Sequence, residues 1–125
     1  MAATDLSTHG SRAVPHAYEM LQPGGAVCLL HVAPPGSAHE PLLAQLRALI
    51  PAEAANRGFR TDVRVVTHEK AAAGICEAAA TFHADLVCLG SHSRSSLAAA
   101  VLGSVAHTVV AQCQCPVLVV PTDSI

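Results

Sequence analysis

The chain has 125 residues, 51% of them apolar, a formal net charge of -2 and only seven Lys and Arg. That length suits one domain with a real core, expected to span residues 1–125, and is too short for two. The scattered cations form no basic stripe, and the three aromatic rings (Tyr18, Phe59, Phe82) form no stacking platform, so nucleic acid is excluded as a partner.

Residues 1–5 read as the last few residues of a first strand, shortened at its start. Residues 7–21 read as a helix, with Pro15 early enough to be tolerated or to kink it. A near-continuous apolar run at 26–32 reads as a strand buried on both faces. Leu42, Leu46 and Leu49 then recur at helical spacing. Residues 62–66 alternate, with polar Asp62 and Arg64, and so suit a sheet edge. Ile75, Ala79 and Phe82 mark another helix, and 85–90 another buried strand. Leu102, Val105 and Val109 give the last helix, and 116–120 the closing strand. Turn chemistry at Pro23-Gly24-Gly25, Pro34-Pro35-Gly36 and Arg57-Gly58 separates these elements. Strands alternating with helices predict an α/β fold with a parallel sheet.

No apolar run approaches the roughly 20 residues that cross a bilayer, so no membrane partner is expected. Residues 1–10 have neither the charged nor the apolar region of a signal peptide. The five cysteines are an odd number, read as reduced thiols in a cytoplasmic protein.

Ligands of open parallel sheets bind beyond the carboxyl ends of the strands, so the segments that follow strands are the informative ones. After 85–89 comes Gly90-Ser91-His92-Ser93-Arg94-Ser95-Ser96, with Gly103-Ser104 opening the last helix. Small residues allow close backbone approach, and amide groups at a helix start attract anions. Ser91, Ser93, Ser95 and Ser104 add hydroxyl donors. Arg94 is the only cation in the loop, either a phosphate partner or a solvated surface residue. His92 is a further contact candidate. Neither GxxxxGK nor GxGxxG occurs, which excludes a Walker loop and a dinucleotide fingerprint.

Gly90-x2-Ser93-x9-Gly103-Ser104-Val105-Ala106, followed by 115–121 (CPVLVVP), closely resembles the signature of the universal stress protein family. In that family the pattern reads Gly-x2-Gly-x9-Gly-Ser/Thr before a closing strand of the Pro-Val-Leu-Val-Val type. Residues 85–92 match the strand that enters it, 3–7 the end of the family's first strand, and 29–32 its second. The resemblance implies a five-stranded parallel sheet of order 3-2-1-4-5, with helices on both faces. It also implies an ATP-binding branch and a branch without nucleotide. In the former, the position of Asp5 lies by adenine or ribose, and Val32 contacts adenine. Gly90, Ser93, Gly103, Ser104 and Val105 cradle ribose and phosphates. ATP, or AMP or ADP, with Mg alongside the nucleotide, is the implied cofactor. Ser93 departs from the pattern, replacing its second glycine; where positive φ is needed this costs roughly 1–2 kcal/mol, and where only a small residue is needed its hydroxyl adds a phosphate contact.

The function expected is a small stress-response module acting through nucleotide occupancy, dimerisation and an unknown protein partner. The alternatives are a nucleotide-free dimeric module of the same fold and a weak nucleotide-dependent hydrolase. Catalysis has little support, because there is no G-x-S-x-G elbow and Asp5 is the only carboxylate near the crevice. The eight histidines are dispersed, and Cys113-x-Cys115 reads better as packing than as a metal pair, so no metal site is expected. The resemblance places Val117, Leu118, Val119 and Val120 at a sheet edge, where a second copy is expected to pair.

Overall fold

The computed structural model describes residues 1–91 and 102–121. Five strands, β1 (Ala2–Ala3), β2 (Ala26–Ala33), β3 (Arg60–Thr67), β4 (Val87–Gly90) and β5 (Val117–Val120), form one parallel sheet ordered β3-β2-β1-β4-β5. The helices between them are α1 (Ala13–Glu19), α2 (His39–Arg47), α3 (Ala71–Thr81) and α4 (Ser104–Gln112).

Alternation along the strands sorts apolar side chains to two faces. Ala2, Leu29 and Cys88 pack with Ala13, Val14, Ala17 and Tyr18 of α1 and with Leu46 of α2. Their chain neighbours Ala3, Leu30, Val87 and Leu89 pack on the other face, with Ile75, Ala78 and Ala79 of α3 and Ala106 and Val109 of α4. Covered on both faces, the central strands need no polar residues, as their apolar runs predict. β3 lies at one edge, where Asp62 and Arg64 pair at 3.8 Å and the Arg64 guanidinium lies 4.9 Å from the Phe82 ring.

With so few aromatic residues, the layers are held close by small ones. A Cβ at Gly74 would lie 2.7 Å from a Val32 methyl carbon, so α3 rests almost on β2. That contact accounts for a helix-interior glycine, which otherwise costs about 1 kcal/mol relative to Ala. The largest aromatic residue, Tyr18, is buried, lies 6.3 Å from Phe59 between ring centroids and hydrogen-bonds Thr61 through its hydroxyl.

Helix bounds differ from the sequence reading: Leu49 lies beyond the end of α2, and the first and last helices start later. The first helix begins at Gly10 with a 3-10 turn (Gly10–Arg12), because Asp5 and Ser7 bond the backbone of 7 and 10 and hold 5–9 in turns. Pro15 is then in the first turn of α1, where its missing N–H has no helical partner to lose. The last helix begins at Ser104, since Gly103 is extended (φ -63°, ψ 159°) and caps it; Leu102 therefore lies outside, 40% exposed.

Candidate functional site

The chain runs from β1 through α1 to β2 on one side, and from β3 through α3 to β4 on the other. The strands β1 and β4 are neighbours at the point where this direction reverses. A cleft of about 710 Å³ opens there, beyond their carboxyl ends. Asp5, Val32, Gly90, Ser91, Gly103, Ser104 and Val105 all line it. His92, Ser93 and Arg94 lie outside the described residues.

One lip is the segment that leaves β1. The Asp5 carboxylate accepts through Oδ1 from the Ser7 amide at 2.9 Å and the Ser7 hydroxyl at 2.5 Å. The Gly10 amide donates back to Ser7 Oγ at 2.9 Å. A Cβ on Gly10 would collide with Asp5 Oδ1, so only glycine admits the carboxylate here. The second carboxylate oxygen, Oδ2, is buried and has no hydrogen-bond partner among the described residues. Burying such an acceptor unpaired is costly, which makes it the polar atom most in need of a donor. Thr4 reinforces the lip: its hydroxyl bonds Ser11 Oγ and accepts from the Leu6 amide, both at 2.9 Å. Leu6 itself sits at φ 70°, a left-handed conformation rare for a γ-branched residue, so the turn is held against local preference. Asp5 does not cap α1, whose N-cap position is Arg12.

Among the described residues the opposite lip is shaped by backbone hydrogen bonds. The amide of Ser91 donates to Val120 O at 2.8 Å, and the amide of Gly103 donates to Ser91 O at 2.7 Å. The chain thus leaves β4 and re-enters at α4 through adjacent points. The N-cap Gly103 brings no side chain to cap α4, so its first-turn amides and the positive end of its dipole face the cleft at Ser104 and Val105. The described residues lining the cleft include no Lys or Arg.

Its floor and far wall are apolar, from Leu30, Val32, Leu42 and Ile75. Thr4 and His31 also line it and were not singled out from sequence as site residues. His31 donates from Nδ1 to Thr4 O at 2.9 Å, so in the neutral ring Nε2 is an acceptor. Its place next to Val32 at a strand end was the available signal. Among the described residues, no group of three or more His, Cys, Asp and Glu side chains is placed to hold a metal ion.

An open parallel sheet of order β3-β2-β1-β4-β5, with a mostly apolar cleft at its switch point, defines a doubly wound α/β protein. The model of the universal stress protein family matches residues 1–121, and the chain belongs to that family. Solved structures agree in fold. The hypothetical protein MJ0577 superposes with a TM-score of 0.83 at 23% identity, over 98% of this chain and 94% of that one. A universal stress protein in complex with cAMP gives 0.73 at 23% identity, over 98% and 94%. The universal stress protein from Archaeoglobus fulgidus gives 0.63 at 18%, over 94% of each. No curated protein matches the sequence.

Proposed function

We propose that this chain is an adenine-nucleotide-binding regulatory module of the cytoplasm, whose occupancy is read by a protein partner in a stress response. The observation that carries the reading is the buried, unpaired Oδ2 of Asp5, a residue that lines the mostly apolar cleft. A ribose hydroxyl is a donor of the right kind for that acceptor, and an adenine ring suits the wall formed by Leu30, Val32 and Ile75. Phosphates would lie against the amides of Ser104 and Val105 and the serine hydroxyls, with Mg accompanying ATP. The family relative solved with cAMP supports the adenine class. Asp5 is the only carboxylate among the described lining residues, and Ser7 already engages it, so the cleft favours binding over hydrolysis.

Pairing of two copies through β5 belongs to the same proposal. Pro116 O and Val120 O accept from Val87 and Ser91 of the β4 side, so alternation turns the amides of Val117 and Val119 to the open edge. Val117 and Val119 side chains pack into their own core and Leu118 into the opposite face. The contact between copies would therefore be made mostly by backbone, and Val119→Asp tests folding as much as pairing. Val119→Pro removes an outward amide instead; it should convert a dimer to monomer in light scattering. A monomeric mass for the unmodified protein contradicts the pairing.

Calorimetric titration with ATP, ADP, AMP and cAMP tests the binding. Saturable binding of at least one is expected, and its loss in Gly103→Val, where the extended backbone admits Val but its side chain blocks approach. Equal affinity before and after that substitution places the site elsewhere.

A further inference from the structure

Three of the five cysteines meet behind the cleft. Cys76 lies on α3, Cys113 is the residue that ends α4, and Cys115 precedes β5. The Cys113 thiol donates to Cys76 Sγ at 3.1 Å across 37 residues of sequence, and Cys115 neighbours Cys113 as well. All three are only half-buried, whereas Cys88 is fully buried. A covalent S–S bond is about 2.0 Å, so roughly 1 Å of movement separates contact from bond. A packing role alone does not explain this arrangement, since isolated buried thiols behave as small hydrophobes and need no thiol partner.

We propose that Cys76 and Cys113 form a reversible disulfide when the protein meets a hydroperoxide, with Cys115 as the exchanging third thiol. The chemistry balances in two steps. One thiolate attacks the peroxide oxygen, the O–O bond breaks, and the products are a sulfenic acid and an alcohol or water. The neighbouring thiol then displaces the sulfenic oxygen, which leaves as water, and the S–S bond forms. Two thiols have lost two electrons and two protons in all, taken up by the peroxide. Burial foremost, then the Cys76 hydrogen bond and charge, push the Cys113 thiol up to about 12. Cys113 is thus the protonated, condensing partner, and the first attack falls to Cys76 or Cys115.

The bond would tie together the two helices that wall the cleft. Ile75, beside Cys76, and Ser104, at the other end of α4 from Cys113, both line it. The closed loop includes both Gly90 and Gly103, so oxidation would restrain the lip built from backbone.

The test treats the protein with hydrogen peroxide and follows intact mass, peptide maps and thermal melting. Expected is a loss of about 2 Da, a mapped 76–113 linkage, a melting temperature raised by about 10 °C, and full reversal by a thiol reductant. Cys115→Ser should still form the bond and gain the rise in melting temperature, and Cys76→Ser should gain none of it, since only the 76–113 linkage ties α3 to α4. Should Cys76→Ser fail to fold, differential alkylation of the unmodified protein decides: after peroxide, Cys28 and Cys88 remain alkylatable on unfolding while Cys76 and Cys113 do not. Equal alkylation of all five thiols, oxidation of one to sulfinic acid with no linkage, or linkage only between molecules overturns the proposal.

Discussion

The two lips of the cleft are made by different means. Around β1, side chains do the work: Asp5, Ser7, Thr4 and Ser11 bond one another and the backbone between 4 and 11. Around β4 and α4, two backbone hydrogen bonds and two glycines shape the opening among the described residues. A side-chain lip fixes one acceptor in place and tolerates no change in its shape. A backbone lip offers unspecific amide donors and tolerates changes that keep its entrance open.

Substitutions should therefore separate the two. The largest effect is expected for Gly10→Ala, whose Cβ would overlap Asp5 Oδ1 and force the turn open. Nucleotide binding should vanish, and urea unfolding should show about 2 kcal/mol of lost stability. Gly103→Val should abolish binding too, but with a much smaller change in stability, of about 1 kcal/mol, because only a cap preference is lost. Equal destabilisation by both would erase the distinction between the lips. Asp5→Asn keeps one oxygen acceptor and the shape of the turn, so affinity should fall about tenfold, or 1.4 kcal/mol. Ser93→Gly should change affinity less than that. A rise from no binding to micromolar binding would instead assign the chain to the nucleotide-free branch.

The thiols give the comparison a pH dimension. Burial foremost, then its thiol neighbours, push the Cys113 thiol from its usual 9.0 up to about 12. Between those values the unfolded chain has released a proton that the folded one retains, so stability falls as pH rises. Burial likewise raises the Tyr18 hydroxyl above 10.0, which extends the loss in the same direction. Stability should decline as pH rises above about 9, and Cys113→Ser should make that decline shallower in denaturant titrations.

The backbone lip was the more legible in sequence, for a physical reason. Glycines at fixed spacing leave a pattern because only small residues permit close approach, and Gly90, Gly103 and Ser104 all line the cleft. The strand order could be anticipated only through the family pattern, yet the edge position of β3 was visible in Asp62 and Arg64 alone. The side-chain lip was harder to see. Asp5 was legible as a strand-end carboxylate, but nothing local showed that it bonds Ser7 or shields Gly10. Those contacts cost the first helix its opening turn, so 7–9 broke the helical expectation. Likewise Leu102 kept the spacing of Val105 and Val109 but fell before the cap, since spacing reports periodicity and not where the backbone extends. The pairing of Cys76 with Cys113 joins positions 37 apart and leaves no periodic trace.

The central claim is that the cleft between the lips takes adenine nucleotide. Amide chemical-shift mapping by NMR during a titration with ATP tests it most directly, because it reports binding and place together. Saturable shifts are expected at Asp5, Val32, Gly90 and 103–105, with little change along the β3 edge. Absence of shifts at millimolar ATP, or shifts confined to the opposite end of the sheet near Met20 and His83, would contradict it.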